Sequence, residues 1–409
     1  MFCSGKSFSN AIARRTAWRR AEGRIGLYDA RGDALNASSR IGHQQNCKLM
    51  RPICLFVFLL FTSRCGSQDF TAIDSTLRAL AQEEKFSASV LVASGGTVLY
   101  EKAAGWANRE DRVPFTAGTA SNIASVGKML TAVLVLQLVE EGRIRPDDTV
   151  EKLLPGARVP NGHLISVHHL LTHTSGLGNY MTDPGYAALQ REGEPGMAQL
   201  LPLVASLPLA FNEPGSACVY SNAGYIVLGG IIESVTGKPY ADVLRTRILE
   251  PLGMRHTFLQ VDRNSMQGLA TGYTRGNPAG PWKSTRDIFP TPAPDGGLFT
   301  TARDLFLFDQ ALYHGKLLQP TTRALMMKPH VRMEVPGSGA IHYGYGMMNV
   351  DLGGGNYTTG HNGGTLGYNT EYRHLFAGGR EYTLILISNY ERTIRPLFSQ
   401  IQTLLRQAR

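Results

Sequence analysis

Hydrophobic and polar positions follow two rhythms along this chain. SASVLVAS and TVLYEKAAG, residues 87–94 and 97–105, flank the pair Gly95-Gly96. Apolar, β-branched runs joined by two glycines predict a β-hairpin. NTEYRHLFAGGREYTLILISN repeats that pattern near the C-terminus and turns at Gly378-Gly379. Residues 69–84 place Leu77, Leu80 and Ala81 on one side of a helical period, and IRPLFSQIQTLLRQ returns to that period at the end of the chain. Strand pairs near both ends, each with a helix beside it, predict an α/β fold: one antiparallel sheet formed from both chain ends and flanked by terminal helices. Between about residues 145 and 290, helical runs such as LISVHHLLTH and NAGYIVLGGIIESVTG alternate with Pro/Gly-rich loops, so a mainly helical region is predicted as an insertion. No helix start follows Gly353-Gly354-Gly355, which reads as a turn and not a phosphate cradle.

One stretch departs from amphipathic patterning. SNIASVGKMLTAVLVLQLVEEG, residues 121–142, is apolar nearly all round at Leu130, Val133, Leu134, Leu136, Leu138 and Val139, which predicts a buried helix ending at Gly142. Lys128 stands near its head. An ammonium in a buried helix is costly without partners or a task. Residues three apart share a helix face, so Lys128 can lie beside the Ser125 hydroxyl. The plain alternative is an N-cap serine followed by a snorkelling lysine.

Composition narrows the classes of function. The 409 residues are 43% hydrophobic and 18% charged, which suits a folded chain with a sizeable core. The formal charge of +9 is unevenly spread, because residues 1–67 hold 11 Lys and Arg against 3 Asp and Glu. The remainder is close to neutral, which argues against nucleic acid as a partner. Residues 1–49 show no apolar period and read as a disordered or mis-assigned extension. From Met50, MRPICLFVFLLFTSRCGSQ offers a basic Arg51, nine apolar residues from Ile53 to Phe61, and small residues Cys65 to Ser67. That is the pattern of a signal peptide at residues 50–67, so residues 68–409 are expected as an exported, periplasmic or secreted domain. Nine apolar residues are too few for a membrane span, and no transmembrane partner is implied. Arg64 makes lipid anchoring at Cys65 the weaker reading. Cys218 alone remains after residue 67, which rules out a disulfide within that domain and reads as a buried small residue.

Three further stretches bear on Ser125. Tyr220-Ser221-Asn222 precedes an apolar helix, and a phenol near a lysine loses its proton more easily. His361-Asn362-Gly363-Gly364 lies between the NYTTG strand and the last hairpin, where glycines let backbone N–H groups approach a ligand. LLTHTSGL at 170–177 and DGGLFTTARDL at 295–305 accompany them. Ser125-Val126-Gly127-Lys128, Tyr220-Ser221-Asn222 and His361-Asn362-Gly363, in that order, resemble the three-motif signature of the serine β-lactamase and penicillin-binding-protein superfamily. The Y-x-N form with LLTHTSGL is similar to its class C β-lactamase, D,D-carboxypeptidase and esterase branch. The resemblance spans about residues 70–409.

It implies a β-lactamase-like fold and an acyl-transfer site without cofactor or metal. Ser125 would be the nucleophile, and Lys128 and Tyr220 the pair that takes its proton and later activates water; which of the two is the base stays open. Asn222 would position the acyl group, with His361, Asn362 and Gly363 binding substrate. The oxyanion would sit between the N–H groups of Ser125 and Gly364. His361 stands where the commonest form of the motif has lysine, so neutral esters or D-amino-acid peptides are favoured over β-lactams. The substrate is thus a small ester, β-lactam or D-amino-acid peptide. A rival reading is a binding or sensor protein that is acylated once without turnover. His168, His169 and His173 include a spacing compatible with zinc, but no H-E-x-x-H glutamate accompanies them, and they read as structural. Oligomeric state is not fixed by these features.

Overall fold

The computed structural model describes residues 69–193, 195–259, 267–277, 280–286, 292–335 and 339–407. The chain divides between Arg64 and Cys65, and the described residues all belong to the second unit. The predicted extension and signal segment, with Cys65, lie outside the described residues.

The two glycine-turned hairpins form as the patterning predicts. Strands β1 (Ala88–Ser94) and β2 (Thr97–Ala104) make the first. The last two, β7 (Tyr368–Ala377) and β8 (Arg380–Ser388), make the second. Between them in sequence come β3 (Val331–Val335), β4 (Gly339–Tyr343), β5 (Met348–Gly353) and β6 (Asn356–Thr365). The eight form one antiparallel sheet in the order β2-β1-β8-β7-β6-β5-β4-β3. The β1–β8 ladder, with Val90 opposite Leu386, joins the two ends of the chain.

Side chains alternate across a strand, and both faces of this sheet are covered. Val90, Val92, Leu384 and Leu386 pack against Ile73 and Leu77 of α1 (Thr71–Gln82) and against the C-terminal helix, through Leu397, Ile401 and Leu405. Leu91, Ala93, Ile385 and Ile387 face the other way, into the main core. That core is built around α2 (Gly127–Glu140), buried all round as its pattern predicts and ended at Glu141 with Gly142 at φ 68°. Each fully buried Leu, Ile or Val contributes roughly 1.5–3 kcal/mol. Beside α2 lie α3 (Asn222–Thr236), capped by the Ser221 hydroxyl on the Gly224 N–H at 3.2 Å, and α4 (Ala302–Tyr313). The C-terminal helix is α5 (Arg395–Gln407).

Two local expectations need correction. Helices of the inserted region run from Val150 to Leu252, and the described residues beyond, rich in Gly and Pro, form loops and a short strand pair at Tyr273–Thr274 and Lys283–Ser284. His361-Asn362-Gly363-Gly364 is not a connection after the NYTTG strand but part of β6 itself. Its ladder with β7 continues through Thr365, opposite Tyr368. Among the described residues, no helix is long and apolar enough to cross a membrane.

Candidate active site

Ser125 is not an N-cap. It lies inside a 3-10 turn, Ala124–Val126, that leads into α2, and no side-chain capping bond forms at either start. The turn is shaped by its neighbours. Ala124 adopts φ 46°, uncommon for a residue with a side chain. The Ala124 N–H donates to Asn122 Oδ1 at 2.8 Å, and Asn122 Nδ2 donates to the Gly297 carbonyl at 2.9 Å. The Gly297 N–H returns to the Ala124 carbonyl at 3.0 Å. Gly296 has φ 146°, and a Cβ there would stand 2.3 Å from the Ala124 carbonyl oxygen. The DGG stretch is thus pressed against the turn that presents Ser125.

Strand β6 approaches from the other side. Its ladder with β5 ends at Met348–Gly360, so residues 361–365 run past the end of that strand toward the turn. A Cβ on Gly363 would lie 2.2 Å from the Ile123 carbonyl oxygen. Only glycine permits this approach.

Between these walls lies a small cleft, lined by Ser125, Asn222, Tyr180, Met181, Asp295 and Gly364 among others. Lys128 is fully buried and does not itself line the cleft. Its Nζ is 3.2 Å from Ser125 Oγ, 2.7 Å from Asn222 Oδ1 and 2.5 Å from the Asp295 carbonyl oxygen. Three acceptors match the three N–H bonds of an ammonium. Asn222 completes its own bonding with Nδ2, 2.9 Å from Met181 Sδ. The Tyr220 ring centroid stands 5.0 Å from Lys128 Nζ, and the phenol oxygen is buried without a hydrogen-bond partner among the described residues.

His361 is placed differently from expectation. It is 1% exposed and does not line the cleft. Its Nδ1 lies 2.5 Å from the Asn362 carbonyl, which can only accept, so Nδ1 carries the proton. Nε2 then accepts from the Tyr343 hydroxyl at 2.9 Å. Both ring nitrogens are occupied within the protein. Burial first, then the charge of Lys128, pulls its pKa down to about 3. Asn362 is exposed, and neither it nor Gly363 lines the cleft, whereas Gly364 does.

Sequence reasoning left several neighbours without a role. Tyr180 donates to Asp295 Oδ2 at 2.8 Å, and burial raises both groups above their ordinary values. His173, buried at φ 61°, accepts the Ser221 N–H on Nδ1 at 3.1 Å. Its ring packs 4.3 Å from that of Tyr220 and 4.6 Å from that of Tyr343. LLTHTSGL therefore supports the Tyr220-Ser221-Asn222 segment. His168 meets Tyr345 at 2.9 Å, and His169 closes a capping box with Ser166. Among the described residues, no group of three or more His, Cys, Asp or Glu is arranged to hold a metal. The Cys218 thiol is pushed up to about 11 by burial, which makes it a poor nucleophile.

This fold and this Ser-Lys-Asn cluster define a recognised class. The sequence model of the Beta-lactamase family matches residues 73–405, and the chain belongs to that family. It is 28% identical over 337 residues to penicillin-binding protein 4* of Bacillus subtilis (strain 168), covering 78% of this chain and 71% of that protein. It is 37% identical over 190 residues to esterase EstB of Burkholderia gladioli, covering 44% of this chain and 48% of the esterase. Among solved structures it is similar to a D-stereospecific amidohydrolase from Streptomyces sp., with a TM-score of 0.67 and 27% identity over 81% of this chain and 98% of that one.

Proposed function

We propose that the protein is an exported serine hydrolase that cleaves a small ester or amide through an acyl-Ser125 intermediate, leaning to esterase or D-amino-acid peptide hydrolase activity. The observation that carries this is Lys128 Nζ at 3.2 Å from the hydroxyl of an uncapped Ser125 on the wall of the cleft. In this mechanism Ser125 Oγ attacks the acyl carbonyl while its proton passes to Lys128 in its neutral amine form or to Tyr220 in its phenolate form. The carbonyl oxygen gathers charge between the N–H groups of Ser125 and Gly364. Expulsion of the alcohol or amine, which takes up the proton, leaves the acyl-enzyme. Water then attacks the same carbonyl and gives its proton to the same pair; the acyl–Oγ bond breaks, the acid leaves, and Ser125 Oγ takes that proton back. Asn222 holds Lys128 in place through Oδ1 and borders the acyl group. His361, Asn362 and Gly363 act mainly by fixing the strand edge beside the substrate. An esterase and an amidohydrolase among similar proteins support the choice of reaction, while a penicillin-binding relative keeps β-lactams on the list of substrates.

The test is a panel of p-nitrophenyl esters, D-alanyl peptides and a chromogenic cephalosporin, with mass spectrometry of quenched enzyme. Multiple turnovers and an acyl adduct on Ser125 are expected. Ser125→Ala and Lys128→Ala should each remove turnover almost completely, and the double variant should lose little more. Ester turnover near the wild-type rate by folded Ser125→Ala overturns the assignment. A single stoichiometric burst replaces it with the sensor reading.

A further inference from the structure

Resting on the serine hydrolase reading, we propose that the Asp295 carboxylate reads a primary ammonium group on the acyl side of the substrate, close to the scissile carbonyl. Asp295 borders the same cleft as Ser125 and is the carboxylate among its described lining residues. The residue is 7% exposed. A carboxylate so buried costs several kcal/mol unless it is paired.

The pairing inside the protein is incomplete. Tyr180 donates to Oδ2 and fixes the orientation of the group. Lys128 reaches Asp295 through the backbone carbonyl. No Lys, Arg or His lies within ion-pair distance of the carboxylate among the described residues. The acceptor is therefore oriented and desolvated; the charge of Lys128 acts on it, but no cation stands in direct contact with it among the described residues. A substrate ammonium supplies that cation and keeps its own hydrogen bonds, whereas a substrate carboxylate in the same place meets like charge. The chemical class selected is an amino-acyl ester or amide.

The experiment compares two ligands of nearly equal shape, alaninamide (each enantiomer) and 2-methylpropanamide, in which a methyl replaces the ammonium. Binding is titrated by calorimetry at about pH 7, where an α-amino group is mostly protonated. Wild type should bind one enantiomer of alaninamide at least about tenfold more tightly than the neutral amide, a typical worth for a charge-assisted hydrogen bond. Asp295→Asn keeps the size of the side chain and an oxygen for Tyr180, and it should bring the ratio close to one. Equal affinities in wild type, no measurable binding of alaninamide, or a ratio retained in Asp295→Asn overturns the proposal. The wild-type comparison stands if Asp295→Asn fails to fold. Hydrolysis of p-nitrophenyl butyrate is followed in parallel. Ammonium preference without turnover of either p-nitrophenyl butyrate or alaninamide refutes the hydrolase reading alone, and turnover without the preference refutes the Asp295 proposal alone.

Discussion

The Tyr220 hydroxyl is buried near Lys128 and bonded to nothing among the described residues. An unpartnered buried hydroxyl costs stability, and removing it is near neutral or favourable for the fold. In catalysis the same oxygen would gain a partner, the proton travelling between Ser125 and the leaving group. Tyr220→Phe should therefore unfold within about 0.5 kcal/mol of wild type and lose on the order of 10²–10⁴-fold in kcat. Equilibrium denaturation beside ester kinetics checks this split, and equal damage to both would mean that the phenol is structural. His361 gives the opposite case, a group whose bonding is complete. Its pKa of about 3 in the folded state lies below the ordinary 6.5, so the native state favours the neutral ring. Its contribution to stability is present above pH 6.5 and is lost as pH falls toward 3. His173, also held well below its ordinary value by burial, adds to the same loss. Denaturation midpoints should fall steadily from about pH 6.5 downward, and less steeply in His361→Asn.

Strand β6 and the Ser125 turn meet through two glycines with different surroundings. A Cβ on Gly363 would lie 2.2 Å from the Ile123 carbonyl oxygen, whereas one on Gly364 meets nothing within 4 Å. Gly363→Ala must push the strand off the turn, and a misplacement of about 1 Å in an active site costs on the order of 10²-fold. Ester kcat/KM should fall by about that factor in Gly363→Ala and by far less in Gly364→Ala, which keeps its N–H. Steady-state kinetics on the two variants, with melting temperatures, separates them. The elements themselves were unevenly legible. Hairpins β1–β2 and β7–β8 and helix α2 could be read because long apolar runs with glycine turns, or apolar residues on every side, leave few alternatives. VRMEV, GAIHY and MNVDLG, which became β3 to β5, are short and of mixed polarity, and their pairing comes from the sheet they join. Ser125 and Lys128 could be placed together because residues three apart share a helix face, and Asn222 could be added through the resemblance of its motif. Asp295, Tyr180 and Asn122 could not, because their roles depend on contacts between segments far apart in sequence.

At the scale of the whole molecule, charge is unevenly spread along the chain. Residues 1–67 carry the basic excess. Native protein should begin near residue 68 and be found outside the cytoplasm, and N-terminal sequencing of fractionated material would settle it; an intact Met1 in the cytosol refutes export. The near-neutral remainder bears on substrate choice. An ordinary histidine at position 361 would gain charge as pH falls through about 6.5 and so attract carboxylate-bearing substrates. With its pKa at about 3, His361 stays neutral throughout working conditions, so that pH trend should be missing. Lys128 already donates to three acceptors, and the cleft adds the carboxyl of Asp295, which repels anions when ionised. Wild type should therefore hydrolyse neutral esters faster than a cephalosporin, with a ratio of kcat/KM values that changes little between about pH 5.5 and 8.5. His361→Lys should shift that ratio toward the anionic substrate. It should also lose stability, because a second ammonium enters a buried site beside Lys128 and the Tyr343 hydroxyl loses its acceptor. Faster cephalosporin than ester turnover by wild type would replace the esterase-leaning reading with β-lactamase activity. A ratio that swings toward the anion as pH falls through 6.5, and does so equally in Asp295→Asn, would show that His361 and not the buried Asp295 carboxyl changes charge in the working enzyme.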